Sequence, residues 1–404
     1  MDECVRAVHV PGAAVGAVVL ALRAADLPPA VMPVAVGAAP HWARMVARLL
    51  RGTGSVCSAL VTPDLIGVKV QFLPDRAQPV RDALAVMPRP GLRGHWAVAV
   101  GELIPVAGEW TLPDPHRAPH RAPHRAPRRA AQQEPVALLR ARIFPPGHRY
   151  AGAEGSSEDR PDSRELRTLD DAAGRARLLM VEAGPQVPAP DVVASRPSVP
   201  SFAAPSHVAH GVPVRLTGPE RVPVVSGPGW YLLGLPGVAL ADRRKTALHL
   251  ACDVLGGPGG VLARRLGAGT TYSLSLFSRE LADAGYLTVM VCAAPERLAG
   301  VRAGVREVLR DVERELTDEA IGRSRSALLV RHLEGERHAD DVAVRTATYL
   351  AADGEPGAAG DEMRAMSADE VRRCAGELLG GAGAVELYLV PEGAVDSLPG
   401  QGFP

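Results

Sequence analysis

The 404-residue sequence predicts an α+β fold in two parts, and three observations carry the prediction. Apolar runs of strand length alternate with segments whose apolar residues recur at three- and four-residue steps, the helical spacing. A stretch from about 184 to 213, GPQVPAPDVVASRPSVPSFAAPSHVAHGVP, is dense in Pro, Ala and Ser and separates two such series as a linker would. At roughly 100–200 residues per domain the length suits two or three domains. With 47% hydrophobic and 22% charged residues, a wholly disordered or fibrous chain is excluded.

In the first part, Val15 to Leu22 reads as a buried strand, and the Pro-rich segment 28–40 leads into a helix at HWARMVARLL. Trp42, Met45, Val46, Leu49 and Leu50 recur there at helical spacing, and Gly52 and Gly54 stop the helix. LIGVKVQFL alternates as a strand, and Ala77 to Val86 forms the next helix. In the second part, WYLLGLPGV is a buried strand and DRRKTALHLACDVLGG a helix ended by Gly256 and Gly257. A short helix at VLARRL, a glycine-rich turn and the strands TYSLSLF and GYLTVMVCA follow. Leu298, Val301, Val305, Val308, Leu309, Val312 and Leu316 mark one strong amphipathic helix. Thr317 opens a further helix through about Leu333, Ser367 with Glu370 makes a capping box for the last, and VELYLV closes the chain as a strand. This order predicts a sheet covered by helices on one face. The expected limits are 1–185 for the first domain, 186–213 for the linker and 214–404 for the second domain.

Forty-five basic and 45 acidic residues cancel, so no global field draws the chain to nucleic acid or anionic lipid. Cysteines 4, 57, 252, 292 and 374 are odd in number and form no CxxC pair, which suits separate thiols in a reducing compartment. The run from Val10 to Ala25 follows Asp2 and Glu3 rather than a basic cluster and is broken by Arg23, so it reads as a strand and not a signal-peptide core. No segment reads as transmembrane, and the expected location is the cytoplasm.

Residues 115–130, PHRAPHRAPHRAPRRA, repeat every four residues and set His116, His120 and His124 at a spacing that a helix would bring to one face. Pro115, Pro119, Pro123 and Pro127 forbid that helix, so the repeat reads as a solvated, disordered insertion.

The second half resembles the C-terminal domain of the pitrilysin-type zinc peptidases, the family of insulinase and mitochondrial processing peptidase. The carrying stretch is LACDVLGGPGGVLARRLGAGTTYSLSLFSRELADAGYLTVMVCAAPERLAGVRAGVREVL, followed by TDEAIGRSRSALL and SADEVRRCAGELL. Earlier, HWARMVARLLRGTGSVCSALVTPDLIGVKVQFLPDRAQPVRDAL is similar to the family's zinc-motif helix, loop, strand and next helix, and FPPGHRYAG to its "FPGHPYG" segment. The resemblance implies two homologous domains, each with an antiparallel-rich mixed sheet covered by helices, that together form half of a peptidase clamshell.

The family's chemistry requires His-x-x-Glu-His, two ligands on one helix face with a glutamate base, and a distant acidic ligand. The matching positions here are His41, Arg44 and Met45. Arg44 stays protonated and opposes a divalent ion, Met45 is a poor zinc ligand, and Glu134 is the nearest downstream acid. No catalytic zinc is expected in this chain. Family members also hold the scissile carbonyl with an arginine and a tyrosine seven positions later, a spacing that Arg265 and Tyr272 share. Such donors steady a developing oxyanion, whereas in a purely structural role Arg265 would cap its helix and Tyr272 pack in the sheet. Arg264 competes for the arginine assignment.

The resemblance therefore implies the zinc-less subunit of a heterodimeric metallopeptidase. A homologous partner would supply zinc, this chain would supply Arg265 and Tyr272, and the substrate would be a short unstructured peptide, with leader-peptide removal one suitable task. The alternative is a non-enzymatic scaffold or peptide-binding homologue.

Overall fold

The computed structural model describes residues 3–85, 135–145, 148–151, 163–187, 219–224, 227–267, 269–354, 356, 359–380 and 384–392. The histidine repeat, Glu134 and the linker beyond Val187 lie outside them. Two five-stranded sheets organise the chain. In the first sheet, β1 (Glu3–His9), β2 (Gly16–Arg23), β3 (Val56–Val61), β4 (Leu65–Phe72) and β5 (Leu178–Gly184) stand in the order β1-β5-β2-β4-β3. In the second, β6 (Glu220–Val224), β7 (Gly229–Pro236), β8 (Thr271–Glu280), β9 (Gly285–Ala293) and β10 (Val385–Pro391) stand in the order β6-β10-β7-β9-β8. Each has one parallel pair at its margin, β1 with β5 and β6 with β10, and is otherwise antiparallel. The same strand order twice in one chain bears out the expected pair of like, antiparallel-rich domains.

The helices of the first part are α1 (Met32–Leu49), α2 (Ala77–Ala85), α3 (Pro135–Ile143) and α4 (Ser163–Ala173). Those of the second are α5 (Arg244–Gly256), α6 (Val261–Leu266), α7 (Leu298–Arg310), α8 (Val312–Glu315), α9 (Asp318–Gly335), α10 (Ala339–Ala351), α11 (Ala359–Ala365) and α12 (Ala368–Leu379). Helix α1 starts nine residues before the sequence-predicted His41, because Pro33 is tolerated in the first turn and Pro40 interrupts only one backbone bond. It ends where expected, with Gly52 and Gly54 at φ +94° and +74°. The predicted single helix from Leu298 to Leu316 breaks at Asp311 into α7 and α8. Thr317 caps α9 by accepting the Ala320 N–H, and the Ser367–Glu370 capping box of α12 is present.

The expectation of sheets covered on one face is corrected, because helices cover both faces of the central strands of each sheet. In the first sheet Val18, Leu20 and Leu22 pack under Trp42 and Val46 of α1, Val80 of α2 and Leu169 of α4. The opposite face, Ala17, Val19, Ala21, Leu179 and Val181, takes Val342, Ala343 and Ala347 of α10, a helix from the second part. In the second sheet Tyr231, Leu233, Val289 and Val291 pack against α5, α7 and α12. Its other face, Leu232, Leu387 and Leu389, takes Leu139 and Ile143 of α3 from the first part. Each half thus lends a helix to the other. Strands buried on both faces read as continuous apolar runs, as VVLAL and VELYLV do. Polar ties fix the exchange: Lys69 Nζ donates to Asp340 Oδ2 at 2.8 Å, and Arg23 and Arg177 each donate to Asp353 at 2.6 Å.

Candidate functional site

The zinc-motif positions lie on α1. Met45 is partly buried against the first core, and Arg44 is exposed with its Nε toward the Pro40 carbonyl at 3.4 Å. Burial, and next the charge of Arg44, which stands where the chemistry would need a base, lower the His41 pKa. These residues do not fit a zinc centre, since a guanidinium and a thioether replace the glutamate and the second imidazole. Among the described residues, no group of three or more His, Cys, Asp or Glu side chains is placed to hold a metal ion.

Arg265 and Tyr272 flank a turn in which Gly267 and Gly269 take φ +82° and +80°, a conformation that favours glycine. Arg265 is in the last turn of α6, with its side chain half exposed. Its Nη2 donates to Glu315 Oε1 at 2.5 Å, and that bond, then the carboxylate's charge, holds the guanidinium firmly protonated. Tyr272 is the second residue of β8, an edge strand, and is 70% exposed. The ladder explains why: Thr271 pairs with Ala293 and Ser273 with Cys292, so Tyr272 is the extra residue of a β-bulge that turns its ring out. No hydrogen bond joins Arg265 to Tyr272. Arg264, the competing arginine, instead bonds the Gly259 carbonyl. Glu315 escaped the sequence reading because no motif marks it fifty positions downstream, and an isolated bulge leaves no sequence signal.

At the far end of β8, His249 Nε2 lies 3.0 Å from Glu280 Oε2, and the Ser278 hydroxyl donates to the same carboxylate. The glutamate sits between the other two, so the hydroxyl meets the carboxylate and not the imidazole, and the trio lacks the Ser-His-Asp order of a nucleophilic relay. The two exposed donors near the β8 bulge can bind a carbonyl or carboxylate oxygen, and the Glu315 carboxylate already takes one N–H of Arg265.

From the stretch 144–152, singled out as FPPGHRYAG, the described residues Phe144, His148, Arg149 and Tyr150 serve the junction of the halves. Tyr150 donates its hydroxyl to Asp64 Oδ1 at 2.7 Å, and Arg149 donates to the Tyr150 oxygen at 2.8 Å and to Asp283 at 2.7 Å. Phe144 stacks on His148 and meets Tyr150 and Tyr286 edge-on. Burial raises the Tyr150 pKa well above the ordinary phenol range, with Asp64 adding to it.

The described residues form an α+β protein of two like sheets, in which His41, Arg44 and Met45 stand on α1 where a zinc motif was sought. The family model described as "Peptidase M16 inactive domain" matches residues 191–328, and the family suspected from the sequence is the one found. No curated protein matches the chain. Among solved structures the chain is similar to a peptidase M16 inactive domain from Pseudomonas fluorescens, with a TM-score of 0.66 and 14% identity over 96% of this chain and 95% of that one. It is similar to a protease from Helicobacter pylori, with a TM-score of 0.62 and 13% identity over 96% of each chain. It also resembles the ferredoxin protease FusC in complex with Arabidopsis ferredoxin, with a TM-score of 0.59 and 11% identity over 94% of this chain and 42% of that one. At these identities the likeness is one of fold.

Proposed function

We propose that this chain is the zinc-less subunit of a heterodimeric metallopeptidase. Residues 1–185 and 214–404, joined by 186–213, form one half-shell, and a homologous zinc-bearing chain forms the other. Arg265 and Tyr272 hold the carbonyl of an extended peptide while the partner's zinc activates water. Removal of a leader peptide in the cytoplasm is a task suited to such a chamber, which admits short unfolded chains.

The observation that carries the reading is the β8 bulge. A solvent-facing tyrosine on an edge strand, one glycine turn from an exposed arginine, has no packing role to explain it, and bulges recur beside active sites. Matching to an inactive-domain family, together with the loss of the zinc ligands on α1, supports division of labour between two chains. The solved ferredoxin protease holds a protein substrate, which supports peptide binding by this fold in that protein.

A second reading, a scaffold without catalytic duty, draws on the Arg265–Glu315 ion pair, which gives the guanidinium a structural partner. Co-expression with a homologue that keeps His-x-x-Glu-His separates the two. A stable one-to-one complex by size exclusion and light scattering, active on peptides where neither chain is alone, supports the first; separate monomers support the second.

A further inference from the structure

Helix α9 runs along the outside of the second half, and its inner side is well held. Ile321 is buried in the core with Leu328 packed beside it, the Ser324 hydroxyl donates to the Leu250 carbonyl of α5 at 3.3 Å, and Arg331 pairs with Asp253 of the same helix at 2.9 Å. At about 3.6 residues per turn, the opposite line of α9 passes through Glu319, Ser326 and Val330. Gly322 and Leu333 stand on one side of that line, and Arg323 and Glu334 stand on the other. Val330 and Leu333 are 56% and 51% exposed, so two large apolar side chains project from the outer face of a helix whose inner face is already packed.

Other features of this face have no use inside the chain. A Cβ at Gly322 would meet nothing within 4 Å, so no neighbour requires the glycine, although a glycine inside a helix costs stability relative to alanine. Among the described residues the Glu334 side chain has no hydrogen-bond or ion-pair partner, while Arg323 bonds Glu319 one turn before it on the exposed surface. Set antiparallel against a second copy, with a two-fold axis level with Leu328, the face is its own complement. Val330 then meets the small Ser326 of the second copy, and Leu333 lies over Gly322 of the second copy. On the other side of the line Arg323 meets Glu334 of the second copy, and the symmetry repeats each contact. A parallel pair would instead set Glu319 against Glu319 and Ser326 against Ser326.

We propose that the outer face of α9 joins two copies of this chain in an antiparallel helix pair, with Val330 and Leu333 as its apolar centre and Arg323 with Glu334 as its flanking ion pairs. The antiparallel arrangement also sets each helix N-terminus beside a C-terminus, which the helix dipoles favour. The occupant is a second copy because the match lies within one sequence: the large groups of the face are answered by its own small ones, and its acid by its own base. One helix face is a small interface, so the pair forms and separates with concentration. The contact uses neither Arg265 nor Tyr272 and does not rest on the heterodimer reading.

Sedimentation velocity of the full chain alone, run from low to high micromolar concentration, tests the contact. Wild type is expected to pass from monomer to dimer, and Val330→Glu should weaken the dimer at least about tenfold by setting a carboxylate in the apolar centre. Arg323→Glu and Glu334→Arg should each weaken it about fivefold, and combining them should restore it, since the ion pair is then reversed in both copies. All three positions are exposed, and circular dichroism checks that each variant folds. A wild type that stays monomeric overturns the proposal, as do association unchanged by Val330→Glu and failure of the double variant to recover. If Val330→Glu leaves self-association intact but blocks pairing with a zinc-bearing homologue, the face belongs to that partner and the proposal fails.

Discussion

The Asp64 carboxylate accepts the backbone N–H of Ala282, at 3.3 and 3.2 Å to its two oxygens, and so ties the β3–β4 turn of the first sheet to the β8–β9 turn of the second. Both turns belong to hairpins that carry an edge strand, and β8 is the strand from which Tyr272 projects. One buried carboxylate thus bonds both hairpins, beside the exchanged helices and the Lys69–Asp340 pair.

Tyr150→Phe removes a single hydroxyl from this junction and leaves the ring among Phe144, His148 and Tyr286. Since the hydroxyl's own bond ends on the buried Asp64 carboxylate and Arg149 loses its acceptor as well, the expected destabilisation is about 1.5–3 kcal/mol. Differential scanning calorimetry should show a lower Tm for the variant, and an unchanged Tm would mean that the hydroxyl contributes nothing to the junction.

Two carboxylates should respond to pH in opposite directions. Burial raises the Asp64 pKa, outweighing its bonds to Tyr150 and Ala282. Its contribution to stability is complete below the unfolded value of about 3.9 and is lost as pH rises through the folded value. Burial also acts on Asp340, but there the bond and charge of Lys69 prevail and the pKa is lowered. That contribution is present above the unfolded value and is lost as pH falls through the folded one. Relative to wild type, Asp64→Asn should gain as pH rises from the carboxylate range, and Asp340→Asn should lose. Urea titrations at several pH values check the two slopes.

A fragment ending at residue 213 should not fold cooperatively alone. Without α10, the face of Val19, Ala21, Leu179 and Val181 is left open to water. Near-ultraviolet circular dichroism should find no fixed tertiary signal in the fragment, and adding residues 214–404 in trans should restore it.

Asp353 takes φ +53°, where side chains are strained, yet it binds Arg23 and Arg177. Asp353→Ala loses both partners and keeps the strain, while Asp353→Gly loses the partners and relieves it. Alanine should therefore be the less stable of the two by about 1 kcal/mol, read as the difference in urea midpoint.

The sequence disclosed those elements whose signals are local. Thr317 and Ser367 announced their helices by capping, and the apolar strands by length. Helix α10 was missed because its buried face is built of Ala339, Ala343 and Ala347 with Val342, small residues suited to a flat sheet and too weakly apolar to mark a period. Strand β3 was missed because both its faces are largely exposed, so VCSALV carries no alternation. The start of α1 was hidden by prolines that its geometry tolerates. At the candidate site Arg265 and Tyr272 were singled out only through the family resemblance, whereas the bulge and the Glu315 contact arise from tertiary pairing and have no local signature.

The central claim is tested most directly by Tyr272→Phe in the complex with a zinc-bearing homologue. The change removes one exposed hydroxyl and no core contact, so zinc content and assembly should match the wild-type complex. Peptide turnover should fall about 100- to 1000-fold, the usual cost of losing one oxyanion donor. Turnover within about twofold of wild type would contradict the account and leave the chain a scaffold.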